Sequence, residues 1–361
     1  MKILDKSYLE KFEEYDENYG VYLVEDESVG LKGYIAIHRL NNGFPSLGAT
    51  RLWRYATDEE ALRDALRLSK LMSYKSALAG MPFGGAKAAL VLPKDGIKDR
   101  NKFFTTYAKQ VNELNGKFVT GTDVGVSNDD LDILRKASQF IIGMGVNSGY
   151  YTAIGVKYCI ESVLSSIFGT SEVKERSFAI QGIGKTGSEL LRLLIKSNVK
   201  NIIISDIDDV KIKKILAEFP FLKVVGAEEI HKQEVDIFSP SALSGVLNEK
   251  SVSELKCRAV VGSANNQLAS PEIAEKLNQL GILYVPDYLA NSGGIVSVVD
   301  QYINENPNEE RILNDLKKIP KSLDLILKKS KSSGSTLEKE ALIIANAFLN
   351  RNVEYEKVTS K

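Results

Sequence analysis

Residues 177–206 constrain what this chain can fold into more than any other stretch. Ser177-Phe178-Ala179-Ile180-Gln181 is a short apolar run of strand type. Gly182-Ile183-Gly184-Lys185-Thr186-Gly187 follows at once, then an amphipathic run through Leu190, Leu191, Leu193 and Leu194. A second strand-type run, Asn201-Ile202-Ile203-Ile204-Ser205, ends at Asp206, nineteen positions past Gly187. Strand, glycine-rich turn, helix, strand and an acid about 20 positions on form the pattern of a dinucleotide-binding βαβ unit. The glycines permit a tight turn, a pyrophosphate approaches backbone N–H groups at the helix N-terminus, and the carboxylate meets the ribose hydroxyls. Gly182, Gly184, Gly187 and Asp206 are thus candidate cofactor-binding residues, with a structural tight turn as the alternative. Asp206 would repel a 2′-phosphate, which favours NAD over NADP. Lys211 and Lys213, close by, could instead assist a phosphate.

The alternation continues downstream. Val235-Asp236-Ile237-Phe238, Ala259-Val260-Val261 and Leu283-Tyr284-Val285 read as buried strands separated by helical stretches, an α/β pattern. In doubly wound sheets ligands sit beyond the C-terminal strand ends. Those ends carry SPSAL (239–243), GSANNQ (262–267) and DYLANSGG (287–294), which makes Asn265, Asn266 and Asn291 site candidates. Turn asparagines are the alternative reading. Two helical stretches, about 309–328 and 336–352, close the chain. Pro320 is expected to kink or split the first, and KSKSSGS (329–335) to form the turn between them.

At 361 residues the chain is too long for one ordinary core, so a second domain is expected upstream. That half is dominated by YKSALAGMPFGGAKA, residues 74–88. A helix with Ala61, Ala65, Leu68 and Met72 on one face leads into it, capped by Thr57-Asp58-Glu59-Glu60. Ala88 to Leu92 reads as a buried strand, which puts Lys75 near a helix end and Lys87 at the mouth of a strand. Two ammonium groups at a glycine-lined mouth can divide their work. One binds a carboxylate; the other, crowded and desolvated, loses its proton more easily and serves as a base. The alternative is a pair of solvated lysines. Further helices are expected at 5–14, 99–114 and 152–168, and further strands at 22–24, 34–37 and 118–120. Asp123 follows the last of these strands between glycines, as a functional carboxylate or a turn aspartate. A flexible connection at 143–149 reads as a hinge. The expected domains are 1–145, 146–330 and a C-terminal segment, 331–361.

Composition narrows the partners. Lys+Arg and Asp+Glu are both 47, so no net charge calls for nucleic acid or an anionic membrane. The charged N-terminus has no signal-peptide core, and no run is long enough to span a bilayer. Cys159 and Cys257 lack metal spacing and are expected to be reduced and buried in a cytoplasmic protein. With His38 and His231 as the only histidines, no metal site is expected.

LGATR (47–51), YKSALAGMPFGGAK (74–87), GTDVG (121–125), TAIG (152–155), QGIGKTG (181–187), GSANNQL (262–268) and PDYLANSGG (286–294) follow in order. In these motifs the sequence resembles the glutamate/leucine/phenylalanine/valine dehydrogenase family, closest to its leucine- and phenylalanine-type members. The resemblance implies NAD(P)-dependent oxidative deamination of an L-amino acid to its 2-oxo acid and ammonia, and the reverse. It also implies an N-terminal catalytic domain, a Rossmann-type domain, a cleft between them, a last helix returning to the first domain, and a homo-oligomer. Lys75 and Asn266 would bind the α-carboxylate and the carbonyl of Gly48 the amine. Lys87 would activate water and Asp123 shuttle a proton. Thr152 and Asn265 would position the nicotinamide end; Ala242 and Leu243 would line the adenosine side.

Leu47, Gly121, Ile295 and Val298 would form the side-chain pocket, with Asn291 alongside among the substrate residues. Glutamate-type members carry a lysine at the position of Leu47 and a serine near Val298, so glutamate is disfavoured here. Gly121 resembles phenylalanine-type members, which points to a large apolar or aromatic substrate. The sequence departs from the family pattern at Ala86, at Tyr150-Tyr151, at Ser292, in SPSALSG and at Gln301. Rival readings are a branched-chain substrate, a catalytically silent NAD-binding sensor, and hydride transfer on 2-hydroxy acids, for which no histidine lies in a motif.

Overall fold

The computed structural model describes residues 1–41, 43–143, 145–242 and 244–350. They form two compact units. The first comprises Met1–Ala77, Met81–Val146 and, among the described residues, 346–350; the second comprises Leu78–Gly80 and Asn147–Ala345.

The first unit is built on one six-stranded sheet of β1 (Lys2–Ile3), β2 (Gly20–Asp26), β3 (Leu31–Ile37), β4 (Ser46–Trp53), β5 (Gly84–Val91) and β6 (Phe118–Thr122). The spatial order is β1-β2-β3-β5-β4-β6. From β1 to β5 neighbouring strands are antiparallel; β5, β4 and β6 run parallel. Four helices belong to this unit: α1 (Lys6–Leu9), α2 (Asp58–Leu78), α3 (Arg100–Glu113) and α4 (Asn128–Ala137). Ala61, Leu62, Ala65 and Leu66 of α2 pack with Tyr34, Ala36 and Ala89 on one face. On the other, Phe103, Phe104 and Tyr107 of α3 and Leu131 and Leu134 of α4 pack with Ala86, Ala88 and Leu90. Successive side chains of a strand point to opposite faces, so β5 places its odd-numbered residues on the α2 face. The helix expected at 5–14 is cut to Lys6–Leu9. The chain turns through Glu17, at φ 44°, while the side-chain Oδ1 of Asn18 accepts from the N–H of Asp16 at 3.2 Å.

The second unit carries a six-stranded parallel sheet: β7 (Ser177–Gln181), β8 (Asn201–Ser205), β9 (Lys223–Val224), β10 (Ile237–Pro240), β11 (Ala259–Val260) and β12 (Leu283–Tyr284). Its order is β12-β11-β10-β7-β8-β9. The chain steps outward from β7 to β9, returns to the other side of β7, and steps outward again. This is the doubly wound dinucleotide-binding topology, whose direction reverses between β7 and β10. The helices are α5 (Ser148–Phe168), α6 (Gly187–Lys196), α7 (Asp209–Glu218), α8 (Glu249–Glu254), α9 (Glu272–Gln279), α10 (Asp287–Ala290), α11 (Gly293–Asn304), α12 (Glu309–Leu316), α13 (Lys318–Ser333) and α14 (Leu337–Leu349), of which the residues from Asn346 on are assigned to the first unit.

Local chemistry sets several boundaries. Asn147 caps α5 by accepting from the N–H of Tyr150 at 3.2 Å, so the expected flexible connection already ends there. The stretch expected at 309–328 is split at Lys317 into α12 and α13. Pro320 falls in the first turn of α13, where a missing N–H costs no helical hydrogen bond. The turn expected at 329–335 is shorter, because α13 continues through Ser333 and stops at Gly334, at φ 71°. No helix among the described residues is long and apolar enough to cross a membrane.

Candidate active site

Three adjacent parallel strands assemble the acid–base residues of the first unit. Lys87 is the fourth residue of β5, Arg51 lies in β4, and Asp123 follows the last residue of β6. Lys87 therefore sits inside a strand, whereas the sequence places it at a strand mouth. Strand alternation puts its side chain on the α2 face. The Lys87 ammonium donates to Oδ2 of Asp123. The Arg51 guanidinium donates to the same oxygen through Nε at 3.2 Å. Its Nη1 donates to Oδ2 of Asp64, on α2, at 2.8 Å.

The electrostatics suit proton transfer. Lys87 is only 6% exposed. Burial lowers its pKa below the ordinary 10.5; Asp123 opposes that shift, and the Arg51 cation adds to it. For Asp123 burial alone would raise the carboxyl, but Lys87, Arg51 and the N–H of Val124 outweigh it and hold it at about 2. The site thus keeps an ionised carboxylate beside a lysine that releases its proton more readily than in water, as a general base near neutral pH requires.

Glycines set the spacing around this pair. A β-carbon on Gly85 would fall 2.0 Å from the backbone nitrogen of Ser73, so only glycine lets β5 pack on the end of α2. The N–H of Gly85 donates to the Ser73 hydroxyl at 2.9 Å. The last turn of α2, with half-buried Lys75, is thereby fixed against the start of β5. Leu47 and Gly48 lie in β4; Leu47 is fully buried and pairs with Gly85 and Val119. A β-carbon on Gly121 would fall 2.8 Å from the carbonyl oxygen of Ile142. Packing alone accounts for glycine at that position.

In the second unit the glycine turn lies where the sheet reverses. Gly182, at φ 94°, packs against Ala242 at the end of β10. Gly187 brings α6 onto the carbonyl of Gly182, where a β-carbon would fall 1.9 Å from the oxygen. A β-carbon on Gly184 would meet nothing within 4 Å, which leaves room beside the turn. Asp206 accepts from the N–H of Ile183 at 2.7 Å and that of Asp208 at 2.9 Å. Gln181 Oε1, Ser205 Oγ, Ser239 Oγ and Ser241 Oγ are buried around these strand ends without a hydrogen-bond partner. Open space beside glycine and unsatisfied polar atoms fit a polar, phosphate-bearing cofactor.

Asn291 donates to Oδ1 of Asn265 at 2.9 Å, and its own Oδ1 is buried without a partner. Asn266 adopts φ 52° in the same loop. The Thr152 hydroxyl donates to the carbonyl of Ser148 at 2.7 Å and lies against Gly294 of α11. Ile295 and Val298 share α11, three positions apart. Leu243 lies outside the described residues. Among the described residues no group of three or more His, Cys, Asp or Glu side chains could hold a metal ion.

Sequence reasoning did not single out Arg51 or Asp64. Arg51 stands inside the LGATR stretch, which carried a signal; Asp64 is one polar residue among many on α2.

Comparison with known proteins gives concordant results. The model of the Glu/Leu/Phe/Val dehydrogenase dimerisation domain matches residues 20–139. That of the Glutamate/Leucine/Phenylalanine/Valine dehydrogenase domain matches residues 208–354. A phenylalanine dehydrogenase of Lysinibacillus sphaericus is 38% identical, over 84% of this chain and 81% of its own. A leucine dehydrogenase of Bacillus subtilis (strain 168) is 33% identical, over 91% of this chain and 89% of its own. The crystal structure of L-tryptophan dehydrogenase from Nostoc punctiforme matches with a TM-score of 0.82 at 32% identity, covering 93% of this chain and 96% of that one.

Proposed function

The chain belongs to the Glu/Leu/Phe/Val dehydrogenase family, and from that premise we propose that it catalyses the reversible, NAD-dependent oxidative deamination of an apolar or aromatic L-amino acid. The balanced reaction is amino acid plus NAD⁺ plus water giving 2-oxo acid, ammonia, NADH and a proton. The observation that carries the reading is the buried Lys87 ammonium bonded to the ionised carboxylate of Asp123. A bound nicotinamide supplies the hydride acceptor. Lys75, at the end of α2, takes the α-carboxylate, and the carbonyl of Gly48 accepts from the substrate amine. Lys87 removes a proton from the water that attacks the imine carbon. Asp123, ionised at rest, takes that proton from Lys87 through their hydrogen bond and relays it to the nitrogen so that it leaves as ammonia.

Several features support the finer assignments. Asp206 stands at the end of β8, and Lys211 is ion-paired with Asp208 at 3.5 Å, which favours NAD over NADP. Gly182, Gly184 and Gly187 take the pyrophosphate, and Ala242 and Leu243 the adenosine side. Thr152 and Asn265 take the nicotinamide end, and Asn291, bonded to Asn265, stands with the substrate residues. A side-chain carboxylate buried unpaired against apolar residues such as Leu47 would cost roughly several kcal/mol, which disfavours glutamate. Gly121 does not rank aromatic above branched-chain substrates, because Ile142 already demands a glycine there. A panel of L-Leu, Val, Ile, Phe, Tyr, Trp and Glu, assayed for NADH at alkaline pH, is expected to give turnover with an apolar or aromatic member and none with Glu. Substituting NADP is expected to lower kcat/KM. Turnover on Glu alone, or silence across the panel with NAD bound, would overturn the assignment.

The same proposal extends to a homo-oligomer, supported by the dimerisation-domain match over residues 20–139. Sedimentation equilibrium at micromolar concentration is expected to give a mass that is a multiple of 39.8 kDa; a monomer throughout would refute it. A cytoplasmic setting is proposed with it, supported by Cys159 and Cys257, both free and buried; imaging of a tagged chain reads this directly.

A further inference from the structure

The Arg51 side chain is mostly buried, with 21% of it exposed. Its guanidinium lies between two carboxylates, donating through Nε to Asp123 Oδ2 at 3.2 Å and through Nη1 to Asp64 Oδ2 at 2.8 Å. Asp64 is itself held. The Tyr55 hydroxyl donates to its Oδ2 at 2.7 Å and Arg67 to its Oδ1 at 2.8 Å. Asp64 and Arg67 come from α2, Tyr55 follows β4, Lys87 comes from β5, and Asp123 follows β6. The chain Arg67 and Tyr55 to Asp64 to Arg51 to Asp123 to Lys87 is therefore continuous.

We propose that Arg51 is a positioning residue that orients the Asp123 carboxylate against Lys87 and keeps a fixed cation beside that lysine, an inference that rests on the deamination proposed above. A planar guanidinium can serve two carboxylates in different directions at once; a lysine ammonium in its place keeps the charge but not the fork. Burial, and next to it Asp64, raise the pKa of the Tyr55 phenol, so that hydroxyl stays protonated and keeps donating. Tyr55 therefore keeps holding Asp64, and the charges of Arg51 and Asp64 act on Lys87 with definite signs. Arg51 favours the neutral lysine, and Asp64 favours the charged one.

The signs give the test. The pH at which half of Lys87 is deprotonated is read by competitive acetic-anhydride labelling and mass spectrometry on the intact protein, with Lys87→Ala identifying the peptide. Arg51→Gln is expected to move that midpoint to higher pH by on the order of one unit. Asp64→Asn is expected to move it to lower pH. Arg51→Lys is expected to leave the midpoint in place while lowering kcat about 10-fold through misplacement of Asp123. A merely structural role would lower stability and activity together without opposite shifts. Unmoved midpoints in both Arg51→Gln and Asp64→Asn, or full kcat in Arg51→Lys, would overturn the proposal. Should Arg51→Gln fail to fold, the other two variants still decide. The labelling needs no turnover, so failure of the deamination reading would show separately, as a wild-type chain silent on the amino acid panel.

Discussion

Replacing Lys87 by alanine is expected to lower kcat by about 10³-fold, the scale of a lost general base. NAD affinity, measured by calorimetry, is expected to stay at the wild-type value. The two readouts separate because they belong to different units: Lys87 lies in β5 of the first, and the glycine turn follows β7 of the second. The strand tolerates the change, since Ala86, Ala88 and Ala89 already surround the position. Asp123 loses one partner but keeps Arg51 at 3.2 Å, so the carboxylate is not left buried and alone. Turnover within tenfold of wild type would remove Lys87 from the mechanism. Loss of NAD binding together with turnover would instead report a fold failure, and Lys87→Met, which keeps the bulk of the stem, would then carry the test.

Gly48→Ala is expected to be the most damaging single methyl group in the first unit. Its β-carbon would fall 1.7 Å from the carbonyl oxygen of Ala86 and 2.4 Å from the carbonyl carbon. Both atoms are backbone of the neighbouring strand β5 and cannot rotate away. Overpacking costs about 1–3 kcal/mol where side chains can yield, so about 3 kcal/mol is expected here, read as a drop in the urea midpoint. Activity should fall beyond what unfolding explains, because the spacing of β4 and β5 also sets Arg51 relative to Lys87. A variant with an unchanged midpoint and unchanged kcat would show that the strands can part at no cost.

The parts of the fold legible in the sequence are those whose signals are local. β7 and β8 fall on the residues read as strands, and the glycines between them open α6, because pattern, turn and helix all lie within thirty residues. The β5 boundary was not legible. Gly84-Gly85 reads as the lining of a strand mouth, yet here these glycines lie inside the strand, and Gly85 is what lets it pack against the backbone of α2. For the same reason Lys87 was read at a strand mouth. The roles proposed for Lys75, Lys87 and Asp123 come from the family resemblance; the bond between Lys87 and Asp123 joins residues thirty-six positions apart and exists only in the folded sheet. Arg51 and Asp64 are the sharper case. A β4 arginine meets an α2 aspartate only after the helix has crossed back over the strand, and no periodicity announces that meeting. The early helix is expected too long because its apolar spacing continues past Leu9, while the N–H groups of Lys11 and Phe12 bond three residues back, to Tyr8 and Leu9, as turns rather than helix.

The separation of the chain into two units, each with its own sheet and its own apolar core, bears on inheritance. On the proposed assignment, substitutions at Asp206 and its neighbours would alter which dinucleotide is taken, and they lie outside the unit that holds Lys87 and Asp123. Substitutions in β4 or in α2 up to Ala77 would reset the proposed acid–base network, whose residues all lie in the first unit. On that assignment selection acts on cofactor choice and on proton chemistry as separate traits, and a lineage can change one while the other is conserved by descent.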